Sequence, residues 1–214
     1  IAADSVPPSP VNAAQQAIPV TVRVRLNANQ MTTVERDRFL TAYARVNNAG
    51  LGIYQALRDM HTGVSSNTIH FGPQFLPWHR AFILQLEREL QAQDPLVCLP
   101  YWNFNQSAPK LFTVDFMGAT TVQSPMQLAP TNTLITWVTD NAPLWARRRQ
   151  SFPPPIQSEA ATLALGSTLN AFSAMEGDPH GSAHVQFQGP ISNIGMAVRD
   201  PLFFLLHCNV DRLW

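Results

Sequence analysis

Apolar and polar positions along the chain form a few periodic stretches separated by long aperiodic ones. Val20-Thr21-Val22-Arg23-Val24-Arg25-Leu26 alternates apolar and polar residues, the period of a half-buried strand. Beyond it the period lengthens. A helix opening at Thr32 or Thr33 carries Phe39, Leu40, Tyr43 and Val46, and a second, after Gly50, places Ile53, Tyr54, Leu57 and His61 on one face. Residues 62–74, with Gly63, Gly72 and Pro73, read as a loop. A third helix is predicted over about residues 77–93, with His79, Phe82, Ile83, Leu86 and Leu90 on one face and Glu87, Arg88 and Glu89 turned away. From about residue 105 to 155 the pattern dissolves into Thr, Pro, Gln and Asn, with short apolar pieces such as Leu134-Ile135-Thr136-Trp137-Val138. So long an irregular stretch is expected to be functional surface or to hide short elements.

Helical character returns over residues 159–174. Asp178-Pro179 before His180, and Asp200-Pro201 before Leu202, each set a capping carboxylate ahead of a proline at the first helical position. The last helix carries the stripe Phe203, His207, Val210, Trp214. Residues 1–19, with Pro7, Pro8, Pro10 and Pro19, read as an extended arm, and residues 20–214 as one domain.

Composition narrows the function classes. Of 214 residues only 13% are charged, below the roughly 25% of an average soluble protein, so much of the chain is buried or looped. Lys+Arg 14 balance Asp+Glu 14, and the run Arg147-Arg148-Arg149 is too short to make a nucleic-acid footprint. No apolar run approaches the roughly 20 residues of a membrane span. Neither nucleic acid nor membrane is therefore expected as a partner. The two cysteines, Cys98 and Cys208, are expected to be buried thiols. The start Ile1-Ala2-Ala3-Asp4 fits a removed export signal, so a secreted or exported protein is favoured.

The histidines carry the chemistry. All six fall into two groups of three: His61, His70, His79 and His180, His184, His207. His180 and His184, four apart after a helix start, share a face with Cβ atoms about 5–6 Å apart, close enough for two imidazoles to bind one ion. A lone histidine on an apolar face is usually a hydrogen-bonded core residue. Six buried imidazoles are costly unless each is satisfied, and a metal satisfies several at once. A zinc hydrolase of the His-Glu-x-x-His kind needs a glutamate where this chain has Gly181, and a structural zinc site needs fewer ligands. Mononuclear non-haem iron takes a carboxylate. Three neutral imidazoles per ion suit copper, and two such coppers facing each other can bind dioxygen between them.

The segments Phe75-Leu76-Pro77-Trp78-His79-Arg80, Pro100-Tyr101-Trp102-Asn103, Pro179-His180-x-x-x-His184 and Asp200-Pro201-Leu202-Phe203-Phe204-x-x-His207-x-Asn209-Val210-Asp211-Arg212 resemble the type-3 copper family. That family comprises tyrosinases, catechol oxidases and the functional units of molluscan haemocyanins. The resemblance runs from roughly Arg23 to Trp214. It implies a mainly α fold, a four-helix bundle around a dinuclear copper centre, with long irregular loops and the short N-terminal strand. Two helices would come from each half of the chain. It assigns His61, His70 and His79 to copper A and His180, His184 and His207 to copper B. Two copper ions are the implied cofactor, dioxygen the co-substrate and a small phenol the substrate.

The departures from the family pattern shape the expected activity. Many plant and fungal members crosslink the second copper A histidine to a cysteine two residues earlier; here that residue is Thr68. Most have a histidine directly before the last ligand; here it is Leu206. In many tyrosinases asparagine follows the first copper B ligand and helps a water deprotonate a monophenol; here it is Gly181. Glu176 matches the glutamate that holds this water, its plain alternative being a solvated acid near Asp178. Ile194 aligns with the residue over copper A where bulky aromatics obstruct entry. Arg80 and Asp211, each in a copper motif, either orient ligand imidazoles or pair with each other. Family members continue past the last helix, so the domain is expected to be incomplete at Trp214, with a second polypeptide or a cleaved C-terminal segment as a partner.

The expected activity is oxidation of o-diphenols or o-aminophenols to o-quinones, with dioxygen reduced to water and monophenol hydroxylation weak or absent. A full tyrosinase and a haemocyanin-like oxygen carrier are the alternatives.

Overall fold

The structure, a computed structural model, describes residues 22–48, 53–63, 66–139, 142–143, 148–152 and 155–214. The expected arm over residues 1–19 lies outside these. Three long helices and one central helix organise the core: α1 (Thr33–Asn48), α2 (Ile53–Gly63), α4 (Phe75–Gln93) and α8 (Leu202–Leu213), with a short α3 (Ser66–Ile69) inside the stretch expected to be loop. The mainly helical expectation holds.

Each start has a local cause. At α1 the Thr32 hydroxyl accepts the Glu35 N–H at 3.3 Å while the Glu35 carboxylate accepts the Thr32 N–H at 2.8 Å, a reciprocal capping box. Helix α4 begins two residues earlier than its pattern suggests. Pro77 is tolerated there because first-turn N–H groups have no intrahelical partner anyway. At α8 the Asp200 carboxylate accepts the Leu202 N–H at 2.9 Å, as expected of that cap. Every residue from Leu202 to Val210 is buried, so α8 is wrapped on all sides rather than along one stripe.

Four expectations change. Residues 22–26 form no strand with any described residue. Asn27 alone bridges to Tyr101, through the Ala28 N–H on the Tyr101 carbonyl and the Tyr101 N–H on the Leu26 carbonyl, both 2.9 Å. The alternation served side-chain pairing instead, since Arg25 reaches Glu87 and Asp211, at 2.7 Å each. The helical stretch over 159–174 is split into α5 (Glu159–Leu163) and α6 (Leu169–Phe172), with Ser158 and Thr168 as caps. Gly166 at φ 125° breaks it, a conformation open chiefly to glycine.

The second half contributes one long helix to the bundle. Its other member is an irregular run: a tight turn over Ser173–Glu176, a wide turn over Gly177–Gly181 and α7 (Ser182–His184), kinked at Asp178. Asp178 does not cap this run; its carboxylate accepts the Gln157 N–H at 3.1 Å. The irregular stretch over 105–155 is a wall of the core: Leu111, Phe116, Met117, Met126, Leu134 and Trp137 are buried. Trp137 packs on Tyr43 and Tyr54 with ring centroids 4.9 and 4.6 Å away. Two antiparallel ladders trim it, Val138–Thr139 against Ala142–Pro143 and Arg149–Gln150 against Phe187–Gln188.

Candidate metal centre

His61 ends the buried face of α2, below Tyr54 and Leu57, and His79 sits on the buried face of α4. His70 follows α3 in a bend, His180 and His184 lie on the irregular run, and His207 is on α8. The ligand nitrogens of His61, His70 and His79 all lie within 4.8 Å of one another, and those of His180, His184 and His207 do the same. The two expected triads therefore exist in space.

Their hydrogen bonds prepare them for a cation. The Nδ1–H of His180 donates to the Glu176 carbonyl at 2.8 Å, and that of His184 to the Ile191 carbonyl at 2.7 Å. A carbonyl can only accept, so both Nε2 atoms carry bare lone pairs, and they face each other at 3.0 Å. The Nε2 of His207 completes the triangle at 3.2 and 3.4 Å, which puts its centre about 1.9 Å from each nitrogen, close to a metal–imidazole bond length.

In the other triad the His79 Nδ1–H donates to the Phe75 carbonyl at 2.8 Å, leaving its Nε2 buried without a partner. Both ring nitrogens of His61 are likewise buried and unsatisfied. A neutral imidazole carries one lone pair and one N–H; each orphaned lone pair costs about 1–3 kcal/mol unless a bound cation takes it.

Burial, reinforced by neighbouring imidazoles, also keeps these rings neutral. It lowers His61 to about 3 and His184 to about 4, and holds His79, His180 and His207 well below the ordinary histidine range. Neutral imidazoles are what a metal needs. The donor set holds no thiolate: the Cys208 thiol, beside His207 in sequence, points to the Leu99 carbonyl at 3.4 Å, and both cysteines are free. Six imidazoles with no sulfur or carboxylate fit copper.

The triads adjoin. His79 and His207 stack with ring centroids 4.3 Å apart. Phe75 packs 4.7 Å from both His79 and His180, and Phe203 lies 4.2 Å from His207 and 5.2 Å from His61. Apolar rings thus fill the floor between the two sites.

The remaining predicted residues are placed as follows. Glu176 is buried, not solvated, and both carboxylate oxygens lie 2.8 Å from the Phe71 N–H. Desolvation raises its pKa despite this donor. Gly181 is helical, and a Cβ there would lie 3.4 Å from the Glu176 carbonyl oxygen, in ordinary contact. Leu206 is buried in the core. Ile194 is 41% exposed in a loop laid along α2, where Thr62, next to His61, donates to the Gly195 carbonyl at 3.0 Å.

Arg80 and Asp211 pair with each other, and Arg80 also covers the Trp214 ring at 3.7 Å. Asp211 pairs as well with Arg25, which grips Glu87. Neither Arg80 nor Asp211 has a ligand imidazole among its hydrogen-bond partners here. Thr68, where the crosslinking cysteine would be, is exposed and has no sulfur to form a thioether.

Sequence reasoning missed the carbonyls of Phe75 and Ile191 and the N–H group of Phe71. The first had a signal: His79–Phe75 and His180–Glu176 are both bonds from a histidine to the carbonyl four residues earlier.

Comparison with known proteins agrees with this geometry. A family profile described as the common central domain of tyrosinase matches residues 51–163 and 123–214. The chain is 28% identical to a tyrosinase of Streptomyces glaucescens over 89% of this chain and 81% of that protein. It is 27% identical to grixazone synthase of Streptomyces griseus over 90% and 83%. Among solved structures, a polyphenol oxidase variant from Thermothelomyces thermophila superposes with a TM-score of 0.68 at 16% identity, covering 90% of this chain and 69% of that one. A functional unit of octopus hemocyanin does so with 0.59 at 20% identity, covering 90% and 52%.

Proposed function

The chain belongs to the tyrosinase family of type-3 copper proteins, and on that premise we propose that it oxidises o-diphenols or o-aminophenols to o-quinones with little or no hydroxylation of monophenols. The family is dinuclear in copper, and the two triads fit one ion each: copper A on His61, His70 and His79, copper B on His180, His184 and His207. When bound, the pair supplies the redox chemistry, in which one dioxygen takes four electrons and four protons from two diphenols to give two waters and two quinones.

The chain's own residues hold and orient. Carbonyls of Phe75, Glu176 and Ile191 fix the tautomers of His79, His180 and His184, so that each presents Nε2 to its site. Phe75 and Phe203 keep the floor apolar. His184 is the ligand least enclosed by protein, so the phenol is expected to approach from its side.

The observation that carries the lean toward diphenols is the state of Glu176. Hydroxylating a monophenol requires a base within hydrogen-bond reach of the phenol proton, directly or through one water. The Glu176 carboxylate is already engaged by the Phe71 backbone N–H, Gly181 offers no side chain to hold a water, and Leu206 offers only a buried aliphatic one.

Oxygen uptake by the copper-loaded chain tests this, first with a simple catechol and then with the matching monophenol. Uptake with catechol alone is expected. Uptake with both would make the chain a full tyrosinase, and uptake with neither would return the oxygen-carrier reading.

A further inference from the structure

Glu176 touches the frame of both triads through hydrogen bonds. Its backbone carbonyl takes the Nδ1 proton of His180, a copper B residue. Its carboxylate takes the N–H group of Phe71, the residue that follows His70 of copper A, across 105 residues of sequence. Phe71 is the non-glycine residue with positive φ, 63°, among those described. That left-handed conformation accompanies the approach of the Phe71 N–H to the Glu176 carboxylate.

His70 lies in a bend between two helices, whereas His61, His79 and His207 lie on long ones. The helix before it, α3, has four residues. The Phe71 side chain is 74% exposed and so anchors nothing by burial.

We infer that Glu176 is a positioning residue that fastens the His70 loop to the run carrying His180 and thereby sets the affinity of copper A. The inference rests on the dicopper reading, but gives Glu176 a different task from holding a water for monophenol chemistry.

Copper per chain, measured after dialysis against graded chelator, is the test. A partner outside the ligand set is worth about 10–100-fold in metal affinity. Glu176→Ala and Glu176→Asp, whose carboxylate stands one methylene short, should therefore release one copper at chelator levels that leave the unsubstituted chain with two. Glu176→Gln keeps the shape and one acceptor oxygen, and should lie between. Amide hydrogen exchange on the metal-free chain gives a second readout without any metal: the Phe71 amide should be protected, and Glu176→Ala should expose it.

Two coppers held at full affinity by Glu176→Ala, or an unprotected Phe71 amide in the unsubstituted chain, would overturn the latch. An unsubstituted chain that binds no copper while that amide stays protected would instead sink the dicopper reading and, with it, the effect on affinity.

Discussion

His79 and His207, members of different triads, stack with ring centroids 4.3 Å apart and planes 11° from parallel. The two metal sites therefore share a wall, and a change at that wall is felt on both sides. His184 stacks on neither His61, His70 nor His79; its ring neighbours are His180, His207 and Phe203.

His207→Ala should accordingly weaken both sites, while His184→Ala weakens copper B alone. Losing a ligand should exceed the roughly 10–100-fold cost of losing an outer partner. Copper titrations of the two variants check this. Equal retention of copper A in both would show that the stack transmits nothing.

The buried pair Arg148–Asp200 joins the irregular wall to the start of α8. Arg148 Nε lies 3.3 Å from one Asp200 oxygen, and the other caps Leu202. Burial pushes the Asp200 pKa up and the Arg148 pKa down, so each charge depends on its partner. Arg148→Met leaves the carboxylate alone and should cost about 3–5 kcal/mol, with the double variant Arg148→Met/Asp200→Ala losing less than the sum of the singles. Urea unfolding of the four proteins measures it.

Acid should destabilise the chelated, metal-free chain. His61 and His184 fall from 6.5 to about 3 and about 4 on folding because burial penalises their charged forms. Between those values and 6.5 the unfolded chain binds more protons than the folded one. The stability these residues contribute is thus fully present above pH 6.5 and lost as pH falls toward 3. Melting temperature against pH follows it; a curve flat from pH 7 to 4 would contradict the neutral, buried imidazoles.

Gly181→Asn should be tolerated, because the position is helical and a Cβ there meets the Glu176 carbonyl oxygen at 3.4 Å. An amide beside copper B gives a water something to bind. Monophenol turnover should rise relative to catechol, by less than the roughly 10²–10⁴-fold of a full general base. The ratio of the two rates is the readout, and an unchanged ratio would mean that the missing side chain is not the obstacle.

Much of this site was legible because helical periodicity is local. His61, His79 and His207 lie on apolar faces that the 3.6-residue period exposes, and the His180–His184 spacing places two rings together. What escaped depends on distant partners. Nothing around Glu176 in sequence announces Phe71, 105 residues away, as its donor. Asp178 and Asp200 look alike and both have extended backbone, yet one caps α8 and the other bonds Gln157, a partner 21 residues away. The alternation over Val20–Leu26 has the period of a strand, but over residues 22–26 it lacks a neighbouring strand to pair with, and pairing decides. Trp137 sits in a stretch without periodicity and is found in the core only because Tyr43 and Tyr54 come to it.

The central claim is that six histidines hold two coppers as a pair. Metal analysis of the chain loaded with copper and dialysed free of excess tests it most directly. Two copper ions per chain, falling to one when His61 or His180 is replaced by alanine, is the predicted result. One copper or none in the unsubstituted chain, or two that survive those substitutions, would contradict it.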